Sequence, residues 1–233
     1  MTYVLSLGGS IVAPPEGPDV PFLLELRTRL DSWLEVEASR RLIFVVGGGG
    51  PARLYQNALK EFSKRHDGTQ PTDVSLDLVG IAATRINAQL VAAVFAGPCA
   101  DPVVEDPTGP IVFTGRILVA SGWKPGFSSD YDAVVLGERF GASTVLNLSN
   151  IAKVHTADPR LFPDAKPLDA IGWPEFRAMV GSVWTPGANL PFDPIASAKA
   201  EAAGLKVVCA AGRDLDNLIA ILDGRTYVGT RIG

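Results

Sequence analysis

Two runs of glycine carry the first sign of chemistry. Gly8-Gly9-Ser10 follows the apolar segment Tyr3-Val4-Leu5-Ser6-Leu7, and Gly47-Gly48-Gly49-Gly50 follows Leu42-Ile43-Phe44-Val45-Val46. Glycine has no Cβ, so backbone N–H groups in such a run can close on a ligand that any side chain would hold away. Successive N–H groups in a turn form an anion nest, and a helix starting there adds its positive N-terminal end. One run of this kind says little. Two in one chain point to two phosphate cradles, as phosphoryl transfer needs for a donor and an acceptor.

More candidate groups lie where other apolar segments end. Segment 121–130, Ser-Gly-Trp-Lys-Pro-Gly-Phe-Ser-Ser-Asp, follows a strand pattern and precedes a helical one. That position is the carboxyl edge of a parallel sheet, where ligands bind. Ser128 and Ser129 offer hydroxyls, Lys124 offers charge, and Asp130 could cap the next helix. A plain glycine-proline loop with an ordinary N-cap accounts for the same residues. Segment 149–159, Ser-Asn-Ile-Ala-Lys-Val-His-Thr-Ala-Asp-Pro, also follows a strand pattern. Asp158 precedes Pro159, which favours an extended or turn conformation. His155, taken alone, is more often a surface or structural residue than a catalyst. Asp77 opens the apolar stretch Asp77-Leu78-Val79-Gly80-Ile81 and reads equally as a cap or as a carboxylate for a ribose diol.

The elements that must position these groups alternate along the chain. Strands are predicted at 3–7, 41–46, 116–120, 144–148 and 205–210, and helices at 21–39, from Pro51 onward, and at 73–95, 130–140, 173–180, 194–203 and 214–222. Leu23, Leu24, Leu26, Leu30, Trp33 and Leu34 mostly recur at helical spacing, and Gly204 and Gly224 read as helix stops. The end of the 73–95 helix is apolar nearly all round, which predicts burial or a subunit interface. Residues 97–115 hold Pro98, Pro102, Pro107 and Pro110 and predict an irregular connection with one short strand at most. The pattern as a whole predicts a mainly parallel sheet covered by helices, with a functional boundary near 141–144.

Composition narrows the class. The chain has 233 residues, 47% of them hydrophobic, and a net charge of -4. It can bury a sizeable core, and its charge argues against a general nucleic-acid or membrane-surface binder. Cys99 and Cys209 lack metal or redox spacing and read as small core residues. No run is expected to reach the ~20 apolar residues that span a bilayer. The start of the chain lacks a signal-peptide pattern, so a cytoplasmic enzyme is the expectation.

Taken in order, these segments resemble the amino acid kinase superfamily, and within it the uridylate (UMP) kinases of archaeal type. Gly-Gly-Ser-Ile with the later Pro18-Asp19 is similar to the family's opening. Gly-Gly-Gly-Gly-Pro-Ala-Arg-Leu-Tyr resembles its second glycine loop, and Asp77 to Asn87 resembles its Asp-x-x-Gly-Ile helix. Pro-Gly-Phe-Ser-Ser-Asp is similar to Pro-Gly-x-Thr-Thr-Asp, while Thr156-Ala157-Asp158-Pro159, Phe192-Asp193-Pro194 and the ending Gly229-Thr230-Arg231-Ile232 fit later segments.

The resemblance implies a three-layer αβα sandwich with a mainly parallel central sheet, one domain over 1–233, and assembly as a homohexamer. It implies an acceptor lobe at 1–142, a donor lobe at 143–233, and γ-phosphoryl transfer from Mg²⁺-ATP to UMP. By position, Gly8, Gly9, Ser10, Gly49 and Arg53 would hold ATP phosphates, with Gly9, Ser10 and Arg53 closest to the transfer. Ser149, His155 and Asp158 would contact the nucleoside part of ATP. Gly48, Asp77 and the segment Trp123, Lys124, Pro125, Gly126, Phe127, Ser128 and Ser129 would hold UMP. A kinase for another small phosphorylated acceptor, such as isopentenyl phosphate, is an alternative. So is a non-catalytic nucleotide- or oxyanion-binding relative.

Three departures stand out. No lysine precedes the first glycine pair, as in many members of the superfamily. Ala152 and Lys153 replace the usual Asp-Gly. His155 stands where Tyr or Phe is usual. Lys153 would either offset the missing lysine or face solvent.

Overall fold

The structure, a computed structural model, describes residues 1–183 and 190–233. Strand β1 (Thr2–Leu7) lies inside a seven-stranded sheet ordered β3-β2-β1-β4-β6-β7-β5. The other strands are β2 (Arg41–Val46), β3 (Ile117–Ala120), β4 (Thr144–Ser149), β5 (Ala170–Ile171), β6 (Lys206–Ala211) and β7 (Thr230–Ile232). Every neighbouring pair is parallel except β6 and β7. The inner strands are covered on both faces, so their sequences are nearly continuous apolar runs rather than alternating ones, interrupted by Ser6 in β1 and Asn147 in β4. Leu5, Leu7 and Phe44 face one core, while Val4, Ile43 and Val45 face the other.

The helices are α1 (Gly9–Val12), α2 (Val20–Val36), α3 (Gly49–His66), α4 (Asp73–Val94), α5 (Ser129–Arg139), α6 (Trp173–Val180), α7 (Pro194–Ala202) and α8 (Leu215–Leu222). Leu26, Leu30, Trp33, Val91 and Leu218 bring α2, α4 and α8 onto the first face. Leu136, Phe176 and Ala196 bring α5, α6 and α7 onto the second. This is the expected three-layer sandwich.

Boundaries moved where local chemistry decided them. Helix α2 stops at Val36 rather than 39, because Glu37 is extended with φ of -147°. At its start, Asp19 accepts from Phe22 N–H at 3.0 Å, an N-cap bond. Ser128, not Asp130, caps α5 by accepting from Tyr131 N–H at 3.2 Å. Asp130 lies inside the helix instead. Gly204 and Gly224 do follow helix ends, with φ of +63° and +68°. Cys209 is buried as expected, whereas Cys99 is only partly covered.

One membrane expectation needs correction. Among the described residues, α4 is by length and composition apolar enough to cross a bilayer. In this fold it packs against β2, β3, α2 and α3. Ala88 and Val91 join the core on the first face of the sheet, Leu76 and Ile81 are also buried, and Val74, Leu78 and Ile86 add exposed apolar surface on the helix.

Strands β2 and β3 lie to one side of β1, and β4 and β6 lie to the other. The chain therefore reverses its winding between β1 and β4. A crevice opens at the carboxyl ends of strands at such a switch point. Both glycine runs emerge there.

Candidate active site

The crevice is built from main chain. Gly8 N–H donates to Leu148 O at 2.8 Å, which ties the end of β1 to β4. Gly47 N–H donates to Leu7 O at 3.0 Å, which ties the second run to the first. The two runs touch so closely that a Cβ on Gly9 would lie 2.1 Å from Gly49 N and 2.5 Å from Gly47 O. Gly49 also has φ of +61°, a left-handed conformation that side chains disfavour. Among the described residues, the N–H groups of Gly9, Ser10, Gly48 and Gly49 have no protein acceptor. They begin α1 and α3, where unpaired N–H groups and helix dipoles favour an anion.

Helix α4 runs beside these loops and grips them along one face. Asp77 Oδ2 accepts from Gly126 N–H at 2.8 Å. Two turns further on, Thr84 Oγ1 accepts from Gly122 N–H at 2.8 Å. Beyond it, Asn87 Nδ2 donates to Gly47 O at 2.8 Å and to Gly48 O at 3.1 Å. Positions 77, 84 and 87 share a helix face. The segment 121–130 is thus more than a plain loop, because α4 and α5 fix it at several backbone positions.

Within that segment the side chains form a cluster. The Trp123 and Phe127 rings lie 5.2 Å apart, and Phe127 and Tyr131 lie 4.5 Å apart. Lys124 Nζ sits 3.7 Å above the Trp123 ring, a cation–π contact that leaves its charge at the surface. Pro125 and Gly126 form the turn, with Gly126 at φ of +88°. Ser128 serves as the α5 cap, and Ser129 begins that helix.

A group of carboxyls lies beneath the segment. Ser6 Oγ donates to Asp130 Oδ1 at 2.8 Å, and Asp193 N–H donates to Asp130 Oδ2 at 3.3 Å. Part of Asp130 meets solvent, but its carboxyl is crowded by protein and desolvation pushes its pKa up to about 6. Ser6 belongs to the segment that lacks the lysine, and its hydroxyl is the partner that Asp130 finds there. Asp132 is fully buried, and Trp123 N–H donates to its Oδ2 at 3.1 Å. Among the described residues, its Oδ1 and the Oδ2 of Asp193 have no partner. Desolvation, reinforced by Asp130, Asp106 and Asp193, pushes the Asp132 carboxyl up to about 8.

Buried acids of this kind make stability depend on pH. Their folded pKa values lie above the unfolded value of about 3.9, so the folded state binds the proton more tightly. That contribution is complete below pH ~4 and is lost as pH rises through the folded value. Asp132→Asn is therefore expected to match the parent melting temperature at pH 4 and to exceed it by several degrees at pH 8. A parallel pH dependence in parent and variant, measured by thermal melts, would show that Asp132 is ionised throughout.

The third segment is held differently. Asn150 Nδ2 donates to Ser10 Oγ at 3.0 Å, joining the loop after β4 to the first glycine run. Ser149 stands at the end of β4, half-buried. His155 Nδ1 lies 3.1 Å from Lys153 O, so that ring nitrogen carries the proton and donates. Asp158 accepts from Arg160 N–H at 2.9 Å and from its guanidinium Nη2 at 2.7 Å. The Arg160 guanidinium draws the Asp158 pKa down to about 2. Lys153 pairs with Asp169 beside the edge strand β5, so its ammonium does not stand in for the missing lysine. Ala152 is exposed. Arg53 is also exposed and stands one turn after Gly49 on α3. Helical side chains lean toward the N-terminus, so this position places a guanidinium within reach of the glycine turn.

These are the loops and the topology of one known family. Residues 1–211 match the model of the amino acid kinase family. The chain belongs to the amino acid kinase family. A uridylate kinase of Methanospirillum hungatei is 33% identical over 99% of this chain and 94% of its own length. One of Thermoplasma acidophilum is 33% identical over 99% of this chain and 96% of its own length. The crystal structure of a uridylate kinase from Archaeoglobus fulgidus superposes with a TM-score of 0.77 at 26% identity, covering both chains fully. In amino acid kinase terms, the expected site residues are the glycine runs with Arg53, the Asp77 helix, and the loops at 123–129 and 149–158. The structure gathers the first runs, Asp77 and the 123–129 segment by direct bonds. Ser10 links to the 149–158 loop through Asn150, but His155 and Asp158 bond locally. Sequence reasoning assigns no site role to Ser6, Thr84, Asn87 or Asp132, nor to Asp193, which it marks only within the Phe192-Asp193-Pro194 segment. The spacing of Thr84 and Asn87 from Asp77 was the available signal.

Proposed function

We propose that this protein transfers the γ-phosphoryl group of ATP to UMP, giving ADP and UDP. The observation that carries the reading is the contact of the two glycine runs, which brings unpaired N–H groups from two helix starts into one crevice. The uridylate kinases that match along its whole length support the choice of acceptor. A phosphate oxygen of UMP attacks the γ-phosphorus while the bond to the β,γ-bridging oxygen of ATP breaks. Such a step needs positioning and charge neutralisation rather than covalent catalysis. Gly9, Ser10 and Gly49 N–H groups and Arg53 are assigned to the donor phosphates, and Gly48 to the acceptor phosphate. Asp77 is assigned to the UMP ribose, which requires exchange of its bond to Gly126 N–H. Trp123 and Phe127 offer ring faces to the pyrimidine.

Mg²⁺ enters with ATP as part of the donor substrate. Among the described residues no group of three or more His, Cys, Asp or Glu could cage a metal. That suits an ion held mainly by phosphates and water. Residues 1–142 supply the acceptor side and 143–233 the nucleoside side of the donor. Exposed Leu54, Tyr55 and Phe62 on α3 with Leu78 and Ile86 on α4 support self-association, which we assign as a homohexamer. The reading places the enzyme in the cytoplasm, with its nucleotides.

A turnover assay across nucleoside monophosphates and isopentenyl phosphate, with and without Mg²⁺, tests the proposal. UMP with Mg²⁺ is expected to be the preferred acceptor. Turnover of isopentenyl phosphate, or of nothing, would replace the reading with one of its alternatives. Asp77→Asn is expected to weaken UMP binding about tenfold, the scale of losing charge-assisted hydrogen bonds, with ATP binding unchanged. Equal loss of both nucleotides in calorimetric titrations would make Asp77 structural.

A further inference from the structure

We infer that Asn87 is a positioning residue that aims two consecutive backbone N–H groups, one at each nucleotide. The inference rests on the UMP kinase reading above. Asn87 lies deep in α4 and is 2% exposed. Both of its bonds run to carbonyls, those of Gly47 and Gly48. A carbonyl only accepts, so the side-chain amide must present its NH₂ group to both.

The consequence follows from peptide geometry. The peptides here are trans, so C=O and N–H of one unit point in opposite directions. Gly47 O and Gly48 N–H share one unit, and Gly48 O and Gly49 N–H share the next. By holding both carbonyls toward α4, Asn87 turns the N–H groups of Gly48 and Gly49 away from it. Those N–H groups have no protein acceptor among the described residues. Gly48 is assigned to UMP and Gly49 to ATP, so one carboxamide sets the relative aim of the acceptor and donor contacts.

The run cannot set that aim by itself. Glycines place no side chain against their surroundings, and their peptide units rotate more freely than others. Ala52 N–H also reaches Gly48 O, at 3.2 Å, but among the described residues nothing else is bonded to Gly47 O. Among the described residues, Asn87 therefore makes the only hydrogen bond to the first peptide unit and the shorter of two on the second.

The test uses the whole enzyme with UMP and uridine as probes. The parent is expected to bind UMP far more tightly than uridine, because the phosphate meets the N–H cradle. Asn87→Ser and Asn87→Leu are expected to lose about tenfold of that preference while uridine affinity stays at the parent value. Turnover is expected to fall about 10- to 100-fold, toward the low end of losing one preorganised donor. A purely structural role would weaken uridine and UMP together, and an unchanged preference in the variants would overturn the inference. A parent that neither prefers UMP nor phosphorylates it would instead overturn the functional reading and this inference with it. Proton exchange in the parent decides the matter even if both variants unfold. Slow exchange of the Asn87 NH₂ protons supports the pinned carboxamide, and fast exchange overturns it.

Discussion

Gly9→Ala is expected to lower turnover by about 10³-fold or more, since several preorganised donors move at once and each is typically worth about 10²-fold. A Cβ on Gly9 would meet Gly49 N at 2.1 Å and Gly47 C at 2.5 Å. Both neighbours are backbone, with no flexible tip to swing aside. Relief must come from moving one glycine run away from the other, and a shift of about 1 Å at a reacting centre costs about 10²-fold in rate. The same displacement is expected to destabilise the fold by about 1–3 kcal/mol, as overpacking does elsewhere. Gly109→Ala is the control, because its Cβ would have ordinary contacts at 3.6 Å and its φ is not positive. Turnover near the parent value in Gly9→Ala would mean that the two runs separate at no cost, and the crevice described above would not be the working one.

Arg53→Ala is expected to lower turnover by about 10²- to 10³-fold with little change in melting temperature. The residue is exposed and its guanidinium is engaged in no ion pair among the described residues. Its removal therefore leaves no buried group unpaired. A guanidinium can bond two phosphate oxygens at once, and an ammonium cannot copy that fork. The loss is scaled from other groups that stabilise charge in a transition state. Arg53→Lys is expected to recover only a small part of it. Steady-state rates for the three proteins settle the point, and parent-like turnover in Arg53→Ala would remove the side chain from the reaction. The effect is expected to be larger here than in relatives with a lysine before the first glycine pair. In this chain Ser6 fills that place with a neutral hydroxyl bonded to Asp130.

The parts legible in the sequence were those with repeated or contiguous signals. The runs that became β1, β2 and β4 are apolar on both faces, and the glycines directly after β1 and β2 fixed the crevice. β5 has only two residues and β7 only three, too short for any periodic pattern. Asp130 reads as a cap because it is acidic and precedes a helical pattern, but Ser128 takes that place and the helix begins at Ser129. The resulting inward turn of Asp130 and Asp132 depends on which residue begins α5, and an apolar pattern does not define that to one residue. Thr84 and Asn87 lay in plain view within the 77–87 match. Their partners, however, are backbone atoms of loops 38 to 40 positions away, which helix spacing alone does not reveal.

The direct contact of the glycine runs has a consequence for how such a protein can change over generations. Where a side chain separates two binding groups, its replacement by a slightly longer or shorter one adjusts their spacing in small steps. Between Gly9 and the 47–49 turn there is no side chain to exchange. The spacing is set by bond lengths and atomic radii of the main chain, which no codon alters. Diversification is therefore confined to the rim, to positions such as 123, 127, 152 and 155, while the separation of the two cradles acts as a fixed ruler that is inherited whole or lost.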